Sequence, residues 1–415
     1  MKNAIDKFWL LMNKKIVALV IIAILVVAIA AGIIFFSSQE ETVDSRIQNL
    51  MEQGDVPSLA AGIIVNDAMV WSSGFGEQSD LDTVYMIGSV TKMFTATAIM
   101  QLYENDILDL DADINDYIPF SVRHPDFPNT PITIRMLLSH RSGIADEVSN
   151  KTLWDFSADM INWANDNLEA NIKLWDTRPT LEEFLEGSIT PSGKYYSPDN
   201  WDSQPETDWE YSSTGYLLLA YVVEQLSDQS FSEYLQQNVL SPLDMQSTGY
   251  DYADFAGRNA IPYEWRDNVN FEYPLYNQYD LGGGGLRSTV GDLSDFLIAH
   301  MNQGQYHNTL ILQPDIVDLM QTSQFSMFGH GFGGFSFAGY GLGWPLYQDQ
   351  IIAHGGAAPG YLADIAFKTE GNSKFGIVLL LNRGASLVED NYLVNTFLPA
   401  VINILFDEAA QLPST

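Results

Sequence analysis

The sequence predicts an α+β fold in which one antiparallel sheet, built from both ends of the chain, is flanked by helices and interrupted by an inserted helical domain. Two β-hairpins support this prediction. Near the start, residues 58–65 and 68–73 have strand character and are joined by an Asn-Asp turn pair. Near the end, residues 362–368 and 374–381 flank a Glu-Gly-Asn-Ser turn. The residues between the hairpins are mostly helical in pattern, which favours one sheet with an insertion.

One transmembrane helix is predicted ahead of this fold. The uncharged apolar run 16–36 has 21 residues, and at about 1.5 Å per residue it spans a hydrocarbon core of roughly 30 Å. Four lysines and one aspartate precede it, so we expect a cytoplasmic tail at 1–15 and an extracytoplasmic chain after a linker at 37–42. A cleaved signal peptide is the alternative, because residues 28–30 (Ala-Ile-Ala) are typical of a cleavage site, but the apolar run continues to Phe36.

Residues 43–406 are assigned to one domain, with a sheet part at about 43–88 and 286–406 and a helical part at about 104–280. Apolar residues at helical spacing predict helices in this domain. These helices are expected at 43–53, 91–103, 134–138, 215–226, 293–301 and 394–405. The stretch 154–209, with five tryptophans and many acids, is interpreted as loop-rich. Its tryptophans are expected to form local core or, next to Tyr211, the wall of a cleft.

The composition excludes several classes of protein. The chain has 415 residues, with 53 acidic and 19 basic side chains and a net charge of -34, so it should repel nucleic acids. It contains no cysteine, which excludes disulfides, zinc fingers and thiolate catalysis. A hydrophobic content of 46% is enough for a large core. The acidity has two interpretations, adaptation to high salt or simply an acidic extracytoplasmic surface.

The first candidate for chemistry is Ser89-Val90-Thr91-Lys92, at the start of the helix predicted from Thr91. Residues three apart lie on one helix face, so the lysine amine can reach the serine oxygen. A serine hydroxyl becomes a nucleophile when a base removes its proton, and a desolvated lysine can be that base. The alternative is a helix-capping serine with a surface lysine. The apolar helix around Lys92 counts against it, because an unpaired amine there is costly.

Two further motifs follow in order. Tyr211-Ser212-Ser213 opens the helix predicted at 215–226, and His354-Gly355-Gly356-Ala357 lies beside a predicted strand. With Ser89-x-x-Lys92, these motifs resemble those of the beta-lactamase-related serine hydrolases, which include penicillin-binding proteins, class C beta-lactamases, D-amino-acid peptidases and esterases. The resemblance covers about residues 43–405. Within this range it includes the sequence around the motifs at 132–143, 283–296, 340–344 and 359–361. It implies the penicillin-binding type of fold.

The resemblance also implies a role for each motif residue. Ser89 would be the acylated nucleophile, and Lys92 and Tyr211 would handle its proton, with either as the base. The backbone N–H groups of Ser89 and Ala357 would form an oxyanion hole. His354 would line the site, Gly355 beside it would belong to the substrate-binding strand, and Gly356 would let the edge of that strand approach the substrate without a side chain.

Two of the motif positions depart from the beta-lactamase pattern. Ser213, expected to bind substrate or Lys92, stands where asparagine is usual, and His354 replaces a lysine that grips a carboxylate. Beta-lactam hydrolysis is therefore disfavoured against esterase or peptidase activity. His140 is interpreted as a structural residue that caps its helix.

These observations predict a membrane-anchored, extracytoplasmic serine hydrolase that cleaves an ester or amide, plausible substrates being a small ester or a peptide with a D-residue. No metal or cofactor is expected. The partners would be a small-molecule or peptide substrate and the membrane, but not nucleic acid, and the oligomeric state is left open. The alternative from another class is a non-catalytic ectodomain of the same fold that binds a ligand or a partner protein.

Overall fold

The computed structural model describes residues 41–77, 79–146, 155–327, 329, 331–384 and 390–412. The predicted tail, the transmembrane helix and the linker up to residue 40 lie outside these ranges. Within them, no helix combines the length and the apolar character that crossing a bilayer requires. Ile47–Thr415 form one compact unit, and Met1–Arg46 form another, whose described part holds the start of the first helix.

The strands of the described residues are short in the middle of the chain and long near its two ends. They are β1 (Ser58–Val65), β2 (Ala68–Gly76), β3 (Tyr85–Met86), β4 (Tyr263–Arg266), β5 (Val269–Glu272), β6 (Arg287–Ser288), β7 (Gln305–Tyr306), β8 (Thr309–Leu310), β9 (Phe337–Tyr340), β10 (Pro345–Tyr347), β11 (Ile351–Ala358), β12 (Tyr361–Glu370), β13 (Ser373–Leu381) and β14 (Arg383–Gly384).

The helices alternate with these strands. They are α1 (Val43–Gly54), α2 (Thr91–Glu104), α3 (Ile134–Leu138), α4 (Ala158–Leu168), α5 (Leu181–Ile189), α6 (Ser213–Ser227), α7 (Phe231–Leu235), α8 (Val290–Met301), α9 (Pro314–Met320) and α10 (Leu398–Ala409).

The main sheet has seven strands in the order β2-β1-β13-β12-β11-β10-β9, and its neighbouring strands are antiparallel. Both predicted hairpins, β1–β2 and β12–β13, are confirmed. The pairing of β1 with β13 joins the two chain ends in one sheet, as predicted. All eight residues of β1 are buried, because the strand lies between β2 and β13 with both faces covered. That burial explains the continuous apolar run that follows Ser58.

Helices α8 and α10 pack on the sheet at β1 and β13. The contact with α8 is close because two glycines face it. A Cβ on Gly62 would lie 2.8 Å from the Val290 side chain, and one on Gly376 would lie 2.8 Å from the Met301 sulfur. On the helical side, α2 packs against α6, and α6 packs against α3. The residues of α2 from Thr91 to Leu102 are all buried, so this helix lies in the core of the domain.

The prediction of a loop-rich stretch at 154–209 is wrong in part, since α4 and α5 lie within it. Helix α5 begins with a capping box in which the Thr180 side chain and the Glu183 side chain each bind the other's backbone N–H. This Thr-x-x-Glu signal was present in the sequence. The β4–β5 hairpin falls in the part predicted as helical. Its turn residues, Asp267 and Asn268, adopt positive φ angles of 52° and 63°.

The predicted closing helix at 394–405 is confirmed, because it lies within an unbroken helical segment over 391–409. Leu393–Phe397 of this segment form a π-helical turn, and α10 continues directly from it with helical backbone angles at Phe397 and Leu398. Pro399 lies just after the π-helical turn. Proline has no N–H to donate within a helix, and π-turns are typical of places where the regular hydrogen-bond pattern is interrupted.

Candidate active site

The Ser89 hydroxyl stands on a tight turn between the sheet and α2. Gly88–Val90 form a 3-10 turn directly before α2, and Ile87 N–H donates to the Leu286 carbonyl at 2.9 Å. Gly88 has a φ of +49°, and a Cβ there would lie 2.6 Å from the backbone nitrogen and oxygen of Ala357. Glycine is therefore required for both the turn and the close approach of β11.

The Lys92 amine lies beneath this turn and binds three oxygens. Its Nζ donates to Ser89 Oγ at 3.1 Å, to Ser213 Oγ at 3.1 Å and to the Gly283 carbonyl at 2.8 Å. Lys92 has no exposed surface. The predicted proximity of Lys92 and Ser89 is confirmed, and the surface-lysine alternative is wrong.

The Gly283 carbonyl is part of the site that sequence reasoning missed. It belongs to a glycine-rich loop whose Gly283 N–H donates to Asp280 Oδ1 at 2.8 Å. Thr95 on α2 donates to the neighbouring Gly282 carbonyl at 2.7 Å. A Cβ on Gly282 would lie 2.2 Å from the Tyr216 carbonyl oxygen, so the loop reaches the amine only because glycine stands there. The glycine cluster at 282–285 was the available signal.

The second motif brings Tyr211 and Ser213 to the same amine. The Lys92 Nζ lies 4.7 Å from the centroid of the Tyr211 ring. Ser212 caps α6 by accepting from Gly215 N–H at 3.0 Å, and Ser213 N–H donates to Asp146 Oδ1 at 2.7 Å. Asp146 was not predicted as a site residue, although its carboxylate fixes the start of α6.

His140 lies behind the second motif and caps α3, as expected. It does so through the backbone: with a φ of +58° its N–H donates to the Leu137 carbonyl at 3.3 Å, and the next N–H donates to the Met136 carbonyl at 2.7 Å. The side chain of His140 makes other contacts. Its Nδ1 accepts from Ser212 N–H at 3.0 Å, and its Nε2 lies 3.1 Å from the Tyr340 hydroxyl. Its ring centroid is 4.4 Å from that of Tyr211. Burial, and then the charge of Lys92, lower the pKa of His140 well below its usual value. The neutral ring must therefore carry its proton on Nε2 and donate to Tyr340.

The third motif forms the part of β11 that faces the Ser89 turn. A Cβ on Gly356 would lie 1.9 Å from the Ile87 carbonyl oxygen and 3.0 Å from Ser89 N. His354 donates from Nδ1 to the Gly355 carbonyl at 2.7 Å. Its Nε2 is buried without a hydrogen-bond partner in the described part of the chain. Burial, and then the charge of Lys92, lower the pKa of His354 to about 3, so the ring is neutral at physiological pH.

A cavity of about 410 Å³ opens beside these residues. Of the predicted site residues, Ser89, Tyr211, His354, Gly355, Gly356 and Ala357 line it, whereas Lys92 and Ser213 do not. Most of the remaining wall is aromatic or aliphatic. It includes Trp209, Phe337, Tyr340, Tyr347, Leu362, Val394 and Leu398. The cleft-wall interpretation thus holds for Trp209, whereas Trp201 is buried in the core. One acid in this wall, Asp364, was not predicted.

The polar groups of the site are hydroxyls, one amine, two neutral imidazoles and backbone groups. Such a set suits nucleophilic catalysis by an activated serine. The described ranges contain no group of three or more His, Asp and Glu side chains that could hold a metal ion.

Comparison with known proteins identifies the family of the chain. A family model described as Beta-lactamase matches residues 43–395. The chain therefore belongs to the beta-lactamase-related family of serine hydrolases, which confirms the resemblance inferred from the three motifs.

Individual relatives are distant in sequence. Protein flp of Staphylococcus aureus (strain NCTC 8325 / PS 47) is 24% identical over 363 residues, which cover 85% of this chain. The chain spans 65% of the length of that relative. Among solved structures, an octameric penicillin-binding protein homologue from Pyrococcus abyssi has a similar fold, with a TM-score of 0.66 at 25% identity, over 88% of this chain and 77% of that one. D-amino acid amidase from Ochrobactrum anthropi SV3 has a TM-score of 0.64 at 20% identity, over 88% of this chain and 99% of that one.

Proposed function

We propose that this chain is a serine hydrolase that cleaves an ester or an amide through an acyl-enzyme on Ser89. One observation carries the proposal: the buried amine of Lys92 lies 3.1 Å from the hydroxyls of both Ser89 and Ser213. A serine becomes nucleophilic when a base stands within hydrogen-bond reach. Because Ser89 also lines the cavity, a substrate can reach it. Motifs and fold together support the same chemistry.

In this mechanism Ser89 Oγ attacks the substrate carbonyl carbon, and the serine proton passes to the Lys92–Tyr211 pair. The backbone N–H groups of Ser89 and Ala357 stabilise the resulting oxyanion, and one such donor is typically worth about 3 kcal/mol of barrier. The bond to the leaving group then breaks, and the leaving alcohol or amine takes the proton. A water molecule, deprotonated by the same pair, attacks the acyl-enzyme and releases the acid and free Ser89.

The site favours neutral acyl groups over anionic ones. His354 stands at the position where the beta-lactamase pattern has a cation, and burial holds its pKa at about 3, so it offers no charge to a carboxylate. The net charge of -34 also repels anions at long range. The aromatic wall suits an apolar acyl chain. Esters and amides of acids without a further negative charge are therefore proposed as substrates, and penicillins are expected to react poorly.

We also propose that the enzyme is anchored in the cell membrane by a single N-terminal helix, with the catalytic domain outside the cytoplasm. The proposal rests on the apolar run 16–36 and on the four lysines that precede it. Protease added to intact cells should then degrade residues after the run and spare a tag placed before Met1.

The catalytic proposal is tested with a fluorophosphonate probe on the intact chain. We expect one adduct in the intact mass spectrum of the wild type and none in Ser89→Ala. The matched control is Ser241→Ala, which removes an exposed serine and should label fully. A fluorescent penicillin should label much more slowly than a chromogenic ester turns over. Labelling that persists in Ser89→Ala, or its absence from the wild type, would contradict the proposal and favour the non-catalytic binding ectodomain.

A further inference from the structure

Asp364 is the acid in the cavity wall that the mechanism does not use. It lies on β12 directly opposite Gly355 of β11. A Cβ on Gly355 would lie 2.8 Å from Asp364 Oδ1, so the carboxyl group covers the strand backbone at that glycine. The absence of a side chain at Gly355 leaves the carboxyl group facing the cavity, which it lines.

This carboxyl group has no partner within the part of the chain that the structure describes. Asp364 is only 8% exposed, and it makes no hydrogen bond and no ion pair with any other residue that the structure describes. Burial alone raises its pKa to about 8. A buried carboxyl group without a partner costs free energy of folding. A strongly perturbed acid in a cleft is also a candidate functional group.

Asp364 and the Ser89 turn lie on opposite faces of β11. Side chains alternate along a strand, and Gly356 faces the Ser89 turn, so Gly355 and the opposed Asp364 face the other side. Strand β10 pairs with β11 only at Leu346 and Ile352. Beyond that pair the edge of β11 is open to the cavity. A ligand that contacts both the Ser89 hydroxyl and the Asp364 carboxyl group must therefore pass around this edge, through a flexible chain (an arm) of several bonds.

The surroundings of the carboxyl group suit a cation. The rings of Phe337 and Tyr347 stack at 4.7 Å and line the same cavity, and aromatic faces attract cations. Among the described residues that line the cavity, none is a lysine or an arginine. His354 is neutral there for the reason given above. An incoming ammonium group would thus meet one carboxylate and several rings without a competing charge.

We infer that Asp364 forms a subsite for a cationic group, such as an ammonium, carried on a flexible arm of the substrate's acyl chain. The inference rests on the proposed function, since it names the substrate class of the same cavity. Asp364 would select substrates and would take no part in bond breaking.

The test uses two isosteric esters on the intact chain: p-nitrophenyl 6-(trimethylammonio)hexanoate and the neutral p-nitrophenyl 7,7-dimethyloctanoate. We expect the wild type at pH 9 to prefer the cationic ester in kcat/KM by about tenfold or more. Asp364→Asn should lose that preference, whatever its kcat/KM for the neutral ester, and thermal unfolding of the variant shows that it is folded. Asp407→Asn, which removes an exposed acid from α10, controls for the change in net charge and should keep the preference.

The preference should also depend on pH with a defined sign. Asp364 has a pKa of about 8, so the ratio of the two kcat/KM values should rise with pH and level off above pH 8. The other titratable groups on the cavity wall are Tyr211, Tyr340, Tyr347 and His354. The β13 residue opposite Asp364 is uncharged Leu379. Titrations in the catalytic pair act on both esters and cancel in the ratio.

A binding measurement separates the failure of this inference from the failure of the proposed function. Calorimetry at pH 9 would compare (6-hydroxyhexyl)trimethylammonium with 7,7-dimethyloctan-1-ol on the wild type and on Asp364→Asn. A preference for the cation that is present in the wild type and absent from Asp364→Asn supports the subsite. It does so even if neither ester is hydrolysed and the proposed function is wrong. Hydrolysis of both esters without an Asp364-dependent preference in kcat/KM or in binding overturns the subsite and leaves the proposed function standing.

Discussion

At the scale of single residues, the neutral imidazole of His140 contacts both the second motif, at Ser212, and the cavity wall, at Tyr340. His140 accepts a hydrogen bond from Ser212 N–H and donates one to the Tyr340 hydroxyl, and its ring centroid lies 4.4 Å from that of Tyr211. It does not line the cavity. His140 is therefore a positioning residue: it fixes the backbone from which Tyr211 projects, and it carries no charge that could disturb the Lys92 amine.

Two replacements of His140 should separate this role from simple packing. The amide oxygen introduced by His140→Asn can still accept from Ser212 N–H, whereas the aliphatic side chain of His140→Leu cannot. We expect His140→Leu to lower kcat by about 10- to 100-fold, because displacing a catalytic group by about 1 Å has effects of this size. KM should change little, and His140→Asn should recover part of kcat.

The measurement is steady-state hydrolysis of a neutral chromogenic ester together with thermal unfolding of each variant. If both variants lose stability equally while kcat is unchanged, His140 is structural only, and the positioning role is wrong.

At the scale of elements, the distance between β11 and the Ser89 turn depends on missing side chains. In Gly356→Ala the new Cβ would lie 1.9 Å from the Ile87 oxygen, so β11 must move away from the turn. We expect ester hydrolysis to fall by at least about 100-fold and stability to fall by about 1–3 kcal/mol. Gly371→Ala is the matched control. It has a positive φ of 62° with nothing within 4 Å, so it should lose some stability and keep its kcat.

Activity and chemical denaturation of the two variants would be measured side by side. Equal loss of activity in Gly356→Ala and Gly371→Ala would mean that general destabilisation, and not the position of β11, limits catalysis.

The same elements show what the sequence could predict. The two hairpins and α2 have clear periodicity and strong turn or motif signals, and the structure confirms them. Helices α4 and α5 were missed because tryptophans, asparagines and acids obscure their apolar face, and only the capping box at Thr180 marked one of them. The Ser89–Lys92 pair was predictable because its contact is local, three residues apart across the 3-10 turn and the start of α2.

The rest of the site depends on contacts between distant segments. The Gly283 carbonyl accepts a hydrogen bond from Lys92, which lies 191 residues earlier in the chain. A local sequence pattern cannot reveal such a contact. Asp364 sits inside an apolar strand, where its sequence gave no indication that the opposite position would be a glycine beside a cavity. Both are products of sheet register and loop packing.

At the scale of the whole molecule, the charge is the dominant feature. Residues 37–415 contain 52 acids and 15 bases, a net charge of -37. Self-repulsion of this size destabilises a compact chain, and salt screens it, with a Debye length of about 10 Å at 0.1 M. Buried histidines also limit the stability of the fold at low pH. The pKa of His300 and that of His354 are lowered by burial to about 3, so protons bind the unfolded chain first and stability falls as pH drops below about 6.5.

Repulsion among the acidic side chains should make the thermal stability of the chain depend on salt. We expect NaCl between 0.02 and about 0.5 M to raise the thermal midpoint at pH 7.5 by several degrees, because screening is nearly complete once the Debye length is below about 5 Å. The matched condition is pH 5, closer to the isoelectric point of about 4.1. There the starting midpoint is lower because of the histidines, but the increment due to salt should be much smaller, since less net charge remains to be screened. KCl should act like NaCl. An equal increment at both pH values would instead indicate that salt strengthens apolar burial, and the high-salt interpretation of the acidic surface would lose its physical support.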